Sequence, residues 1–196
     1  LLIESIKTQV SISSLIKNKI SSSNIEIITN SILLNDLIKF IRITNNKPEL
    51  FILEKIVKKG HVILDLSLNI DENGKIKNDY KIKGLIKDTS INFLNKVNFK
   101  NLNFNFNLQK DNYHFNDINF QAEEVNFISK KLIINKKENS FLINAVVSND
   151  QSNLNSKILK ILNLSFENII IDDAKFKTNT EFYLEIDKQF KVKNIN

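Results

Sequence analysis

The strongest constraint on the fold is an alternation of apolar and polar residues with a period of two. Between positions 101 and 109 the even residues are Leu102, Phe104, Phe106 and Leu108, and all the odd residues carry a side-chain amide. Side chains two residues apart lie on the same face of a β-strand. This segment therefore predicts a strand with one apolar face and one amide face.

The same alternation recurs along most of the chain. It is next clearest at positions 62–70, where Leu64, Leu66 and Leu68 share the apolar face, and the sequence Asp-Glu-Asn-Gly at 71–74 then predicts a tight turn. The apolar side of the returning strand is predicted to consist of Ile76, Tyr80, Ile82 and Ile86. Further strands are predicted at 2–12, 25–28, 113–122, 124–127, 131–134, 141–147, 166–171, 174–186 and 190–195.

Helical spacing is confined to a few short segments. Apolar residues three and four apart predict helices at 35–43, 49–59 and 153–162. Pro48 fits the first turn of the second helix and Gly60 its end. One more helical turn is expected at 13–18. These segments are small beside the predicted strands, so we expect a mainly β fold with a few short helices.

One segment of the chain is echoed near its end. Residues 68–78 and 184–194 align without a gap and share Leu, Ile, Asp, two Lys and Asn at matching positions. Both segments read as a strand, a turn that begins at an aspartate, and a returning strand. The echo favours a sheet built from repeated hairpins.

The predicted strands present more apolar surface than three short helices can cover. Burial of one Leu or Phe side chain stabilises a fold by roughly 1.5–3 kcal/mol, so the sheet must cover that surface. Two arrangements satisfy this need: a closed sandwich of two sheets, or an open sheet curled into a groove whose apolar interior holds lipid chains. Composition alone favours the closed sandwich.

The order of segments resembles the AsmA-like proteins of Gram-negative bacteria, including the TamB and YhdP branches. The resemblance rests on LNDLIKFI at 34–41, PELFILEK at 48–55 and KGHVILDL at 59–66. It continues through DENGKIKNDYKIKG at 71–84 and LSFENIIIDDA at 164–174. It covers roughly residues 25–196 and is one of pattern, without a catalytic motif.

The resemblance implies a non-enzymatic segment of an inner-membrane-anchored periplasmic protein, with its membrane anchor outside these residues. Such proteins are built from stacked hairpins in a long β-groove that conducts phospholipid toward the outer membrane. Residues 1–196 would then be a fragment of a longer protein, with a helical insertion at 30–60 and a hairpin-rich sheet at 61–196. The residues that would contact phospholipid acyl chains are Leu64, Leu66, Leu68, Ile82, Leu102, Phe104, Phe106, Leu108, Phe182, Leu184 and Ile186.

The residues that usually carry catalysis, metal binding or phosphate binding are scarce. His61 and His114 are the only histidines, cysteine is lacking, and three glycines leave little scope for a phosphate loop. The 71–74 turn lacks the ligands of a calcium loop, and the Asp172-Asp173 pair lacks a third ligand. We therefore expect no enzyme activity, no metal and no cofactor.

The net charge of +6 suggests an anionic partner, but the lysines are spread singly along the chain. The Phe residues at 104 and 106 alternate with Asn rather than with Lys, and Arg42 is the sole arginine. Both features argue against nucleic-acid binding. The alternative function is a structural or adhesive β-sandwich module that binds a protein partner through its sheet edges or loops.

Overall fold

The computed structural model describes residues 3–9, 23–44, 48–71, 75–93, 97–161, 173–189 and 191–195. Within them the chain forms one antiparallel sheet of eleven strands. The strands are β1 (Ile3–Gln9), β2 (Ser23–Thr29), β3 (Ile32–Leu33), β4 (Val57–Ile70), β5 (Lys81–Phe93), β6 (Val97–Gln109), β7 (Asn112–Ala122), β8 (Val125–Lys136), β9 (Ser140–Asn153), β10 (Lys175–Asp187) and β11 (Val192–Ile195).

The sheet is an open meander. Its strand order is β1-β2-β4-β5-β6-β7-β8-β9-β10-β11, with the short β3 paired to β4 beside β2. Among the described residues β1 and β11 pair with one neighbour each, so they are the two edges. No second sheet packs on this one in the described part of the chain. The prediction of a mainly β, open antiparallel sheet is confirmed, and the closed sandwich is not what these residues form.

Three helices are described: α1 (Leu34–Thr44), α2 (Pro48–Ile56) and α3 (Ser156–Ile161). The first confirms its prediction to within one residue at each end. The second begins at the predicted proline but ends three residues early, because Val57 already pairs with Ile91 as the first residue of β4. The helical insertion is therefore 34–56, and the sheet includes strands on both sides of it.

Gly60 does not end a helix as predicted but lies inside β4. Its φ is 145°, and a Cβ there would overlap the Thr89 side chain and lie 3.0 Å from the Thr89 Cα. The residue is a glycine because β4 and β5 approach closely where their register shifts.

The third helix is shorter than the predicted 153–162. Asn153 belongs to β9, and the helix is capped by Asn155, whose Oδ1 accepts hydrogen bonds from the backbone N–H groups of Lys157 (3.0 Å) and Ile158 (2.9 Å). Ile158 is buried. The predicted end of the helix at position 162 lies outside the described residues.

The structure differs from the predicted strands most clearly in two places. The strand after the 71–74 turn starts at Lys81, since Ile76 forms only an isolated bridge with Ile70. The segments predicted as two strands, 124–127 and 131–134, form the single strand β8. The predictions at 13–18 and 166–171 lie outside the described residues.

The two echoed segments fold into the same turn. The backbone N–H of Asp71 donates to the Lys75 carbonyl (2.8 Å), and that of Asp187 donates to the Lys191 carbonyl (2.9 Å). Each aspartate Oδ1 also accepts from the N–H of the same lysine, at 2.9 Å in both turns. Equivalent positions pair across both turns, at 70 with 76 and at 186 with 192. The predicted repeat is therefore a structural repeat at these two turns.

A line of bulges crosses the middle of the sheet. Register shifts occur between β4 and β5, β5 and β6, β6 and β7, β8 and β9, and β9 and β10. Asp88, Asn101 and Asp117 have positive φ there, and Thr89 and Asn149 are buried polar residues at the same level. Because bulges bend a strand and increase its twist, this line curls the sheet.

The helix pair α1–α2 packs over one part of the apolar face. Ile32, Val62 and Ile86 form a buried cluster, and Leu37 of α1 and Phe104 of β6 pack against it. The short α3 lies beside the β7–β8 turn, where Lys157 Nζ is 3.7 Å from Glu123 Oε2 and where Ile158, Ala122 and Val125 are buried.

Candidate functional site

A row of directly paired residues crosses ten strands of the sheet. All of its members are apolar except for one tyrosine hydroxyl. In strand order this row, which we call the long row, consists of Ile6, Ile27, Leu66, Ile82, Leu108, Tyr113, Ile134, Ile143, Leu184 and Ile195. Neighbouring strands lie about 4.8 Å apart, so nine steps span about 43 Å. The long row is a continuous apolar strip from one sheet edge to the other.

A second row runs beside it on the same face. It consists of Leu64, Gly84, Phe106, Phe115, Leu132, Ala145 and Phe182. The glycine is needed because the Phe106 ring lies across its strand: a Cβ on Gly84 would be 2.5 Å from Phe106 Cζ. The Phe106 ring thereby continues the apolar surface over Gly84, which has no side chain of its own.

The side chains of this face are partly open to solvent. All eleven residues predicted to contact acyl chains are half-buried, and none is fully buried. By contrast Val62, under the helix pair, is 1% exposed. In a two-layer sandwich the central residues of both rows would be as inaccessible as Val62. Ala145 is buried at 4% exposed, but the other members of the two rows are partly exposed. Their partial exposure leaves an apolar surface that another apolar molecule can cover.

Aromatic rings form two groups on the sheet. Phe104 and Phe115 meet edge to face with ring centroids 5.7 Å apart. Beyond the line of bulges, Phe120 lies 5.5 Å from Phe99 and 5.3 Å from Phe127. Such pairs add roughly 0.5–1.5 kcal/mol beyond area burial, so they help to fix the shape of this surface.

The opposite face is mainly polar. Asn103 Nδ2 donates to Asn119 Oδ1 and Asn105 Nδ2 donates to Asp117 Oδ2, both at 3.0 Å. These amides are the odd-numbered residues of the 101–109 pattern. Isolated apolar residues such as Ile128 interrupt the polar face. The sheet therefore has one face suited to water and one suited to hydrocarbon.

A basic cavity lies at the end of the sheet that carries the β6–β7 turn. It has a volume of about 610 Å³ and includes Tyr80, Lys81 and the β6–β7 turn, one residue beyond the long row on the same strands. Lys77, Lys81 and Lys110 line it, and Asp79 is its one acidic residue. The cavity therefore places positive charge beside the end of the apolar strip.

Tyr113 is the one ionisable residue in the long row. Burial raises the pKa of its hydroxyl above the ordinary 10.0, and the nearby Tyr80 and Asp111 raise it further. The phenol therefore stays neutral at physiological pH, and the long row carries no charge.

The eleven sequence-predicted residues all lie on the apolar face, but in two separate groups. One group is on β4, β5 and β6 and the other is on β10. Sequence reasoning missed the residues that join them, among them Tyr113, Ile134 and Ile143. Alternation identified their strands, but only the pairing register shows that they continue the same row.

No group of three His, Cys, Asp or Glu side chains within the described residues could hold a metal ion. His61 is exposed on β4, His114 is half-buried on β7, and Asp173 is exposed while Asp172 lies outside the described residues. Among the helices described here, none has the length and apolar character needed to cross a membrane.

Comparison of the chain with protein-family models, with curated proteins and with solved structures finds no match in any of the three. Its function is therefore argued from the two faces of the sheet.

Proposed function

We propose that this chain is a non-enzymatic segment of a periplasmic protein that conducts phospholipid along the apolar face of an open sheet. The observation that carries the proposal is the long row, whose half-exposed apolar side chains follow one another across ten paired strands. Acyl chains are the ligand that such a strip would accept, because they are apolar, flexible and without directional bonds.

The length of the strip favours conduction over binding at a single point. The row spans about 43 Å, whereas the acyl region of one bilayer leaflet is roughly 15 Å deep, half of a hydrocarbon core about 30 Å thick. One chain would therefore cover about a third of the strip. Because no charged residue interrupts the long row, a chain could shift along it without crossing a polar barrier.

The basic cavity supports a phospholipid rather than a bare hydrocarbon as the ligand. A phosphate-bearing headgroup would lie near Lys77, Lys81 and Lys110 while its acyl chains lay on the apolar face at the same end of the sheet. The location in the periplasm, the inner-membrane anchor outside these residues and the direction toward the outer membrane rest on the resemblance to AsmA-like proteins.

The test compares two neighbouring isoleucines that point to opposite faces. Ile134 is in the long row, whereas Ile133 pairs with His114 and Asn144 on the polar face, and both are half-buried on β8. The chain is purified without detergent, and its bound lipids are extracted and quantified by mass spectrometry. We expect phospholipid on the unmodified chain, a loss of about tenfold or more in Ile134→Asp, and little change in Ile133→Asp.

Urea unfolding of both variants verifies that they remain folded. A loss of lipid can then be attributed to the change in the apolar face and not to unfolding of the chain. An unmodified chain that is folded and carries no phospholipid contradicts the proposal. Equal lipid on the two variants would do so as well, because the apolar face would then have no special role.

A second function is favoured by the exposed edge of the sheet. All four residues of β11 are exposed, and its outer backbone groups have no strand beside them in the described part of the chain. An open edge of this kind can accept a strand from a partner protein, which is the structural or adhesive function. Binding of a partner by a chain that never carries lipid would favour it.

A further inference from the structure

The two helices α1 and α2 present apolar side chains to solvent on their outer side. Ile43 is 82% exposed, and Phe40, Phe51, Ile52 and Leu53 are each between 41% and 54% exposed. We call these five residues the outer helical patch. Exposed large apolar side chains scattered singly are ordinary, but five within fourteen residues of chain form a concentration that calls for a partner.

The packing of the helices explains why these residues point outward. Ile38 is buried and Leu37 packs on the core cluster, so α1 directs the opposite side, with Phe40 and Ile43 three residues apart, toward solvent. An ion pair between Arg42 Nε and Glu54 Oε2, at 2.6 Å, joins α1 to α2. The outer helical patch therefore lies on two helices that are joined to each other.

Positive charge surrounds the patch. Lys39, Lys55, Lys58 and Lys59 are exposed on and just after these helices. Six basic and three acidic residues lie between positions 33 and 59, and the Arg42–Glu54 pair cancels one of each. The part of the chain that carries the outer apolar residues is therefore net positive.

One lysine contacts the patch directly. Lys55 Nζ lies 4.3 Å from the centroid of the Phe51 ring, a cation–π contact. Lys58 Nζ donates to the Lys55 backbone carbonyl at 2.8 Å, which places a second ammonium group at the end of α2. Aromatic and aliphatic side chains flanked by lysines are the composition of helices that lie in the headgroup region of anionic bilayers.

We propose that the α1–α2 helix pair docks this protein on the surface of an anionic lipid bilayer. Ile43, Phe51 and Ile52 would enter the boundary between headgroups and acyl chains, and the lysines would lie against the lipid phosphates. Because α1 also packs on the cluster that ends the apolar face, docking would bring that end of the sheet to the membrane. The docking surface does not depend on whether the apolar face holds lipid.

The experiment is co-flotation of the 196-residue chain with vesicles. One set is phosphatidylcholine alone and the other is phosphatidylcholine mixed with phosphatidylglycerol. We expect flotation with the mixed vesicles, weak flotation with the neutral ones, and a fall as salt is raised, because salt screens exposed charges. Folded chain that fails to float with the anionic vesicles, or that floats equally with both kinds, overturns the proposal.

The variants separate docking from general stickiness. Phe51→Asp and Ile43→Asp should each reduce flotation about tenfold, because each places a carboxylate where an apolar side chain enters the bilayer. The matched control is Ile128→Asp on the polar face of the sheet, since Ile128 is 49% exposed and Phe51 is 48% exposed. An equal loss in the control overturns the proposal. So does a change in oligomeric state with no change in flotation, because the patch would then be a contact between copies of the chain.

The same preparations distinguish this proposal from the lipid-conduction proposal. Phe51→Asp should lose flotation and keep its bound phospholipid, whereas Ile134→Asp should lose bound phospholipid and still float. If the unmodified chain floats but carries no bound phospholipid, the conduction proposal fails and the docking proposal stands. If it carries phospholipid but does not float, the docking proposal fails and the conduction proposal stands.

Discussion

Replacement of Gly84 by alanine tests whether the Phe106 ring lies across β5 and completes the apolar face. The added methyl group would meet the Ile63 carbonyl oxygen and lie 2.5 Å from Phe106 Cζ and 2.9 Å from Phe106 Cε1. The ring can swing away from a methyl group, but the carbonyl belongs to the neighbouring strand and cannot move without disturbing the sheet. We therefore expect a cost near the upper end of the roughly 1–3 kcal/mol typical of overpacking.

The part of this cost that comes from the ring can be isolated with Phe106→Ala. Alone, that change should destabilise the chain by about 2 kcal/mol, less than the 3–5 kcal/mol of a fully buried Phe, because Phe106 is half-buried. In the double variant the ring clash is gone and only the carbonyl clash remains. The double variant should therefore be about 1 kcal/mol more stable than the sum of the two single changes predicts.

The free energies of unfolding are measured by urea titration followed by circular dichroism. Variants are compared only if the unfolding free energy depends on urea concentration with the same slope in each. Additive effects of the two changes would refute the reasoning, because they would mean that the ring does not lie over Gly84. A Phe106→Ala cost as large as that of a fully buried Phe would refute the open face itself.

Two further predictions concern single side chains. Asn149→Ala should lower the free energy of unfolding by about 1–3 kcal/mol in urea titrations. Asn149 is buried, and its Oδ1 accepts hydrogen bonds from Thr178 N (2.8 Å) and Thr178 Oγ1 (2.6 Å). The control Asn144→Ala, on the polar face, should have little effect. The hydrogen bond from the backbone N–H of Lys191 holds the pKa of the Asp187 carboxyl group below its ordinary 3.8. The bond is therefore fully formed above pH 3.8 and is lost as the pH falls through the lowered pKa of the folded state. The protection of the Lys191 amide, which is the slowing of its exchange relative to an unstructured amide at the same pH, should therefore fall as the pH is lowered through that pKa. Asp187→Asn should abolish this pH dependence.

Local alternation identified the strands because the side-chain period is a property of one strand alone. The Leu102 to Leu108 pattern predicted β6, and the shared aspartates at 71 and 187 predicted two equivalent turns. These features involve contacts within a few residues, so the local sequence is sufficient to specify them.

The errors lie where a distant partner decides the structure. Positions 128–130 separate the two predicted strands, but Ser129 is buried at a register shift inside β8, where one extra residue changes which positions face inward. Ile56 and Val57 fit one helical spacing, yet Val57 pairs with Ile91, thirty-four positions along the chain. Neither outcome can be read from neighbouring residues.

The long row itself could be predicted only in part for the same reason. A row across a sheet depends on the register of every strand pair, and a slip of one residue in any pair would turn the following strands over. The residues predicted to line the groove on β4 to β6 and on β10 share one face of the sheet. The continuity between these two groups through Tyr113, Ile134 and Ile143 is visible only in the structure.

The open face has an energetic consequence that favours an occupant. Full burial of a Leu, Ile or Phe is worth roughly 1.5–3 kcal/mol, so eleven side chains that are mostly buried but partly exposed forgo on the order of 5 kcal/mol relative to a sealed core. That is comparable to the 5–15 kcal/mol by which a whole domain is stable. Bound hydrocarbon would recover much of this energy and raise the free energy of unfolding in proportion to its occupancy. The opposite face offers no such gain where its amides already bond to each other, as Asn103 does to Asn119 and Asn105 to Asp117.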